Sequence, residues 1–195
     1  MKKHQVIPQG LFYFDNVITL EQAKDIVRKI DKDIWTCITP SLNSRKVQQY
    51  GYNYNYTKSN VDMEIAQPMP EHIVGLRDIL TNKCKELNII NDDYVFDQCI
   101  INNYEIGQGI SSHIDSLAFG DVIGCFTFEN GAIMKFTKNN EIFNQYVKPK
   151  SLYIMSGDSR YVYHHAMPQT LKDTFEGMTR HRGRRISVTF RCVLN

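Results

Sequence analysis

From Val95 to the C-terminus the chain is a succession of short β-type runs broken by turn residues, and this restricts the fold more than any other feature. Eight such runs are read at 96–103, 110–115, 121–128, 131–137, 143–147, 151–155, 160–166 and 185–193. Strands this short and evenly spaced point to a sandwich or barrel and away from alternating βαβ units. The preceding half reads differently. Residues 11–18 form a strand and a loop. Thr19 with Gln22 then makes a capping-box pattern ahead of Leu20, Ala23, Ile26, Val27 and Ile30 at helical spacing. A second amphipathic helix is expected over 71–88, with Ile73, Leu76, Ile79, Leu80, Cys84 and Leu87 on its apolar face. The fold class is therefore α+β, drawn as a double-stranded β-helix (jelly roll) backed by two N-terminal helices. With no repeat or linker, residues 1–195 are expected to form one domain.

Composition removes several function classes. No apolar run approaches the roughly 20 residues of a membrane span, and Met1-Lys2-Lys3-His4-Gln5 does not begin a secretory signal. Five scattered cysteines without a C-x-x-C pair argue against a disulfide framework and a structural zinc site. A soluble, monomeric protein of the reducing cytoplasm or nucleus, without membrane partners, is expected. The net charge of +2 does not mark a nucleic-acid binder. Arg180, Arg182, Arg184 and Arg185 are nonetheless concentrated in six residues, to be read as a solvated loop or as a phosphate- or carboxylate-facing cluster.

His113-Ile114-Asp115 ends one strand pattern, and alternation places His113 and Asp115 on the same face. A third ligand would complete the facial triad of two histidines and a carboxylate that marks non-haem iron(II) oxygenases. Alone, H-x-D occurs often by chance. Of the six histidines, only His164 and His165 lie on a late strand, and neighbours on a strand face opposite ways. One of the pair can reach the metal. Along Arg185-Ile186-Ser187-Val188-Thr189-Phe190-Arg191, the residues Arg185, Ser187, Thr189 and Arg191 share one face. Two arginines on an inner face need acids or a bound carboxylate, whose geometry the guanidinium fork matches; on an edge strand they would simply be solvated.

These residues carry a family resemblance. Asn102-Asn103-Tyr104 through Gly107 and Gly109 to His113-Ile114-Asp115, with the closing Arg185-to-Arg191 strand, resembles the signature of the AlkB-like oxygenases that use iron(II), 2-oxoglutarate and O2. Ser156-Gly157-Asp158-Ser159-Arg160-Tyr161 stands in the expected place between the blocks. The resemblance implies His113, Asp115 and His165 as metal ligands, His165 being preferred because His165-Ala166-Met167-Pro168 fits the family pattern. It implies Arg185 and Tyr104 on the distal carboxylate of 2-oxoglutarate, and Asn102, Ser187 and Arg191 at its other binding positions. Ser187 stands where the bacterial prototype has asparagine. The β core would span about 95–195.

A narrower resemblance joins residues 46–62 to the substrate lid of the branch that hydroxylates the tRNA wobble uridine. Tyr50, Tyr52, Tyr54 and Tyr56 alternate there and could present one row of rings to stack a base, although tyrosine-rich strands are also ordinary half-buried β structure. That branch also carries RNA-recognition and methyltransferase domains, so weak RNA binding alone, a separate RNA-binding or methyltransferase partner, or another substrate are the alternatives. Three functions follow. The first is oxidation of an alkyl group on a nucleic-acid base (tRNA or other RNA ahead of duplex DNA), with Arg182 and Arg184 on phosphates. The others are an AlkB-like oxygenase of proteins or small molecules, and a binding module without catalysis.

Overall fold

The computed structural model describes residues 7–39, 44–56, 58 and 60–194, with the side chains of 63–66 left aside. Residues 57 and 59 of the expected lid and the N-terminal Met1–Gln5 segment lie outside the described residues. In chain order the elements are β1 (Leu11–Phe14), α1 (Leu20–Ile30), β2 (Thr36–Cys37), β3 (Lys46–Asn55), β4 (Asn60–Gln67), α2 (Glu71–Glu86), β5 (Gln98–Tyr104), β6 (Ile110–His113) and β7 (Ile123–Glu129). There follow β8 (Ala132–Lys138), β9 (Glu141–Val147), β10 (Ser151–Met155), α3 (Gly157–Tyr161), β11 (His164–Met167), β12 (Lys172–Phe175), β13 (Met178–His181) and β14 (Arg185–Arg191).

The strands form a large sheet in the order β1-β10-β7-β14-β5-β3-β2, with β4 added on β3, and a smaller sheet in the order β6-β11-β8-β9. Pairing is antiparallel throughout. Between the sheets lies one apolar cluster, with Tyr104, Ile123, Cys125, Tyr153 and Met155 from the large sheet and Met134, Phe136, Phe143 and Met167 from the small one. A second cluster holds Ala23 and Ile30 of α1 and Ile73, Leu76, Leu80 and Cys84 of α2. These meet Ile101, Phe126, Phe128, Leu152, Ile186, Val188 and Phe190 of the large sheet. Period-two alternation thus divides β14: Ile186, Val188 and Phe190 go to the helices, each worth about 1.5–3 kcal/mol when fully buried, and Arg185, Ser187, Thr189 and Arg191 go between the sheets. At Gly124 of β7 a Cβ would stand 2.3 Å from Leu80 Cδ1, so glycine lets α2 lie close to the sheet.

The start of α1 follows from its capping box. Gln22 N–H donates to Thr19 Oγ1 at 3.1 Å, and Thr19 N–H donates to Gln22 Oε1 at 2.8 Å. Leu20, expected on the apolar face, is 59% exposed at the first helical position.

The strand expected at 160–166 is corrected. Residues 157–161 form α3, opened by reciprocal Ser156–Ser159 capping bonds, and the strand begins at His164. The alternating tyrosines 161 and 163 imitate a strand, whereas the two serines carried the true signal.

The single row of lid tyrosines is also corrected. β3 pairs with β5 only as far as Gly51, whose φ of +73° turns the backbone into the left-handed region. The pairing with β4 then shifts register between Gly51 and Tyr52 and again between Tyr52 and Tyr54. Tyr50 is consequently buried in the helix-side core, its hydroxyl donating to Asp33 Oδ2 at 2.6 Å. Tyr52 and Tyr54 pack with Val61, Phe119 and Val193 on the other side.

The basic run is dispersed rather than presented as one patch. Arg182 is buried, with Nε and Nη2 on the Asp173 carboxylate at 2.7 and 2.8 Å and Nη1 on the Pro168 carbonyl at 2.6 Å. Arg184 donates to Asp31 Oδ2 at 2.8 Å and Asn103 Oδ1 at 2.7 Å, and faces Glu129 at 3.4 Å. Each guanidinium already meets a carboxylate, which argues against the expected phosphate contacts. Arg182→Gln should therefore destabilise the protein by about 3–5 kcal/mol, since it strands a buried Asp173. Any RNA binding by the folded variant should keep the wild-type salt slope. Urea unfolding and binding titrations across salt concentrations check both; a flattened slope would return Arg182 to the phosphate reading.

Candidate active site

His113 closes β6 and His165 lies on β11, directly opposite it in the antiparallel register. Their ring centroids are 4.3 Å apart. Asp115 follows His113 by two residues, and His113 Nε2 lies 3.5 Å from Asp115 Oδ1. One ligand atom from each of His113, Asp115 and His165 falls within 4.8 Å of the others. His164 points outward and is exposed.

The donor atoms suit a cation. His113 Nδ1 lies 2.8 Å from the Ser111 carbonyl, which can only accept. Nδ1 therefore donates to that carbonyl, and Nε2 is the ring nitrogen that faces the cluster. Burial pushes His165 down to about 4, partly opposed by Asp115, so its imidazole is neutral at pH 7. Burial by itself would raise Asp115, but the Arg191 charge beside it holds it well below the usual carboxylate range. Arg191 Nε donates to Asp115 Oδ2 at 3.2 Å, and Nη1 to Gln98 Oε1 at 3.3 Å.

Two connected chambers meet at these residues. The inner one, about 410 Å³ including its open mouth, is walled by Asn102, Tyr104, Tyr153, Met155, Arg185, Ser187, Thr189 and Arg191 as well as the triad. The outer one, about 800 Å³ on the same measure, is walled by Arg45, Tyr54, Tyr56, Ile100, Phe119 and others, and shares Asn102, Ile110, His113, Asp115 and Arg191 with the inner. Of the four lid tyrosines, Tyr54 and Tyr56 line the outer chamber, while Tyr50 and Tyr52 do not.

The inner chamber is built for an anion. Arg185 is 4% exposed, donates through Nη2 to Thr127 Oγ1 at 2.9 Å and lies against the Tyr104 ring at 5.6 Å. Its Nε is buried without a hydrogen-bond partner, and among the described residues Arg185 forms no ion pair. An uncompensated buried guanidinium is costly, and a carboxylate ligand would satisfy it. Two imidazoles, one carboxylate and an adjoining carboxylate receptor fit iron(II) with a chelating oxo acid.

Comparison with known proteins decides the family. A family model described as "2OG-Fe(II) oxygenase superfamily" matches residues 10–191. The chain belongs to that superfamily. It is AlkB-like within it: a Xenopus tropicalis protein named tRNA (carboxymethyluridine(34)-5-O)-methyltransferase alkbh8 is 36% identical over 166 residues, covering 83% of this chain and 25% of the relative. The chain thus spans about a quarter of that relative's length. An Acanthamoeba polyphaga mimivirus protein, uncharacterized protein L905, is 32% identical over 189 residues, covering 95% of this chain and 85% of that one. The solved structure of OsALKBH1 superposes with a TM-score of 0.70 at 15% identity, covering 96% of this chain and all of that one, and shows the shared jelly-roll fold. The superfamily is one of iron(II), 2-oxoglutarate and O2 users, and the His113–Asp115–His165 cluster has the matching donors. Among the described residues no helix is long and apolar enough to cross a membrane.

Sequence reasoning missed three contributors. Thr127 holds Arg185, Arg160 holds the loop after Asp115, and Arg45 lines the outer chamber. Only Arg160 left a signal, inside the Ser-Arg-Tyr run whose role was not read.

Proposed function

We propose that this protein is a dioxygenase that oxidises an alkyl substituent on an RNA base, with the modified wobble uridine of tRNA as the leading substrate. The observation that carries this reading is the pair of chambers meeting at His113 and Asp115: one fits an oxo acid, the other is aromatic and open. His113, Asp115 and His165 would hold iron(II). Arg185, with Tyr104, would take the distal carboxylate of 2-oxoglutarate, and Asn102, Ser187 and Arg191 would stand at its other binding positions. When bound, iron(II) and 2-oxoglutarate supply O2 chemistry in which the oxo acid leaves as succinate and CO2 while a substrate C–H is oxidised.

The chain's own part is placement and exclusion of water. Tyr54 and Tyr56 offer rings at the outer chamber, where base stacking is worth about 1–3 kcal/mol per base. The segment 46–62, within the β3–β4 hairpin, acts as the lid. Uridine modification is favoured within this class by the relative whose name specifies carboxymethyluridine 34 of tRNA. An RNA-binding or methyltransferase protein is the partner proposed for it.

Incubating the protein with iron(II), 2-oxoglutarate and total tRNA, followed by nucleoside mass spectrometry, tests the proposal. A uridine product heavier by one oxygen is expected. Loss of an alkyl group would shift the reading to demethylation, and an unchanged nucleoside profile would abandon RNA as substrate.

A further inference from the structure

Arg45, immediately before β3, was not among the residues the sequence singled out. It is half-buried on the wall of the outer chamber with Tyr54, Tyr56, Ile100 and Phe119. Its Nε donates to Asn102 Oδ1 at 2.9 Å, and Asn102 lines both chambers. The guanidinium carbon lies 5.8 Å from the Tyr56 ring centroid and 6.0 Å from that of Tyr104. Arg45 therefore stands where the two chambers join.

The charges on that wall do not balance. Arg191 is paired with Asp115, the one carboxylate lining the chamber among the described residues. Among the described residues Arg45 has no acidic partner, and its surroundings are aromatic rings and an amide. A bound divalent ion would add positive charge. A partly desolvated guanidinium in such a wall favours a ligand oxyanion and its forked hydrogen-bond geometry.

We propose that Arg45 is a specificity-determining residue that receives a carboxylate carried on the alkyl arm of the substrate base, selecting acidic over neutral arms. This rests on the reading of the site as a base oxygenase. Two other oxyanions share the chemistry, the RNA phosphodiester and the co-substrate. Arg45's position at the junction, bonded to Asn102, favours a group close to the reacting carbon over a phosphate at the rim. Arg185, whose buried Nε has no hydrogen-bond partner, is the residue proposed above for the co-substrate's distal carboxylate.

The test uses two RNA stem-loops differing only at one uridine, which bears a carboxymethyl arm or its methyl ester. The iron(II)-loaded wild type, Arg45→Gln and Arg45→Lys are compared in kcat/KM for each RNA, in KM for 2-oxoglutarate, and at two salt concentrations. A charge-assisted hydrogen bond predicts that the wild type prefers the acid by about 10–100-fold. The ratio should fall to near unity in Arg45→Gln and be largely restored in Arg45→Lys, with the KM for 2-oxoglutarate changing little. Equal use of acid and ester by the wild type overturns the assignment while leaving the base-oxygenase reading intact. So does a raised KM for 2-oxoglutarate with the ratio preserved, which moves Arg45 to the co-substrate. A reduced salt slope with the ratio preserved overturns it in favour of phosphate contact. If the wild type oxidises neither RNA, the uridine reading itself fails and this assignment falls with it.

Discussion

His113→Ala protein is expected to fold with nearly wild-type stability yet lose substrate-dependent succinate formation by on the order of 10³-fold or more, because a metal centre contributes several kcal/mol of transition-state stabilisation. The His113 side chain is 32% exposed, and its own hydrogen bond runs to a carbonyl two residues away. Truncation there costs the fold about 1 kcal/mol or less. Asp115→Ala should match it in activity and differ in stability. It leaves the buried Arg191 guanidinium without its carboxylate, a loss of about 3–5 kcal/mol. The two variants thus separate ligation from charge pairing. Succinate release, iron titration and urea unfolding on both read the difference. Undiminished turnover in His113→Ala would remove the metal assignment.

The sequence resolved this site unevenly, for reasons that lie in the chain. β14 could be read position by position because its two faces differ in chemistry: Ile186, Val188 and Phe190 go to the helices, and Arg185, Ser187, Thr189 and Arg191 to the inner chamber. His113 and Asp115 obeyed the same parity. Between His164 and His165, parity allowed only one inward residue without saying which; the register with His113 places His165 inside. Tyr50 broke the pattern because a positive φ at Gly51 and two register shifts turn the strand over. A backbone angle of that kind leaves no periodic trace.

The arginine-rich run illustrates a different limit. Four arginines within six residues suggested one surface, but each meets a separate environment. Arg180 lies over Tyr146 at 4.9 Å, Arg182 on Asp173, Arg184 near Asp31 and Glu129, and Arg185 inside the cavity. Asp173 is brought to Arg182 by the β12–β13 hairpin, and Asp31 lies at the far end of the sequence. Charge density along the chain could not reveal these partners. Arg45 shows the converse, since a single arginine with no neighbouring cluster reaches the junction of the chambers.

Replacing Arg160 should cause one of the largest losses of stability of any single change near the site, although Arg160 is not placed to touch iron or substrate. Its side chain is 1% exposed and enters from α3 beneath the loop that follows Asp115. Nη1 donates to the Asp115 carbonyl at 3.0 Å, Nη2 to Ser116 at 2.8 Å and Phe119 at 3.0 Å, and Nε to Gly120 at 3.2 Å. One guanidinium thus gathers four carbonyls of a six-residue turn and fixes the backbone from which Asp115 projects. Methionine fills similar volume but donates nothing, so Arg160→Met leaves those carbonyls unsatisfied. Each buried acceptor stranded costs about 1–3 kcal/mol before water or rearrangement compensates. A net loss of about 3–5 kcal/mol is expected, a fall in melting temperature of roughly 10 °C for a domain of this size. Because the turn sets the direction of Asp115, iron(II) affinity should fall by about 10–100-fold, as when groups that orient a ligand are removed. Arg160→Lys restores charge without the planar fork and should recover only part of either loss. Calorimetry and iron titration on these two variants test the role. Wild-type melting and iron affinity in Arg160→Met would mean that the turn holds Asp115 without the guanidinium.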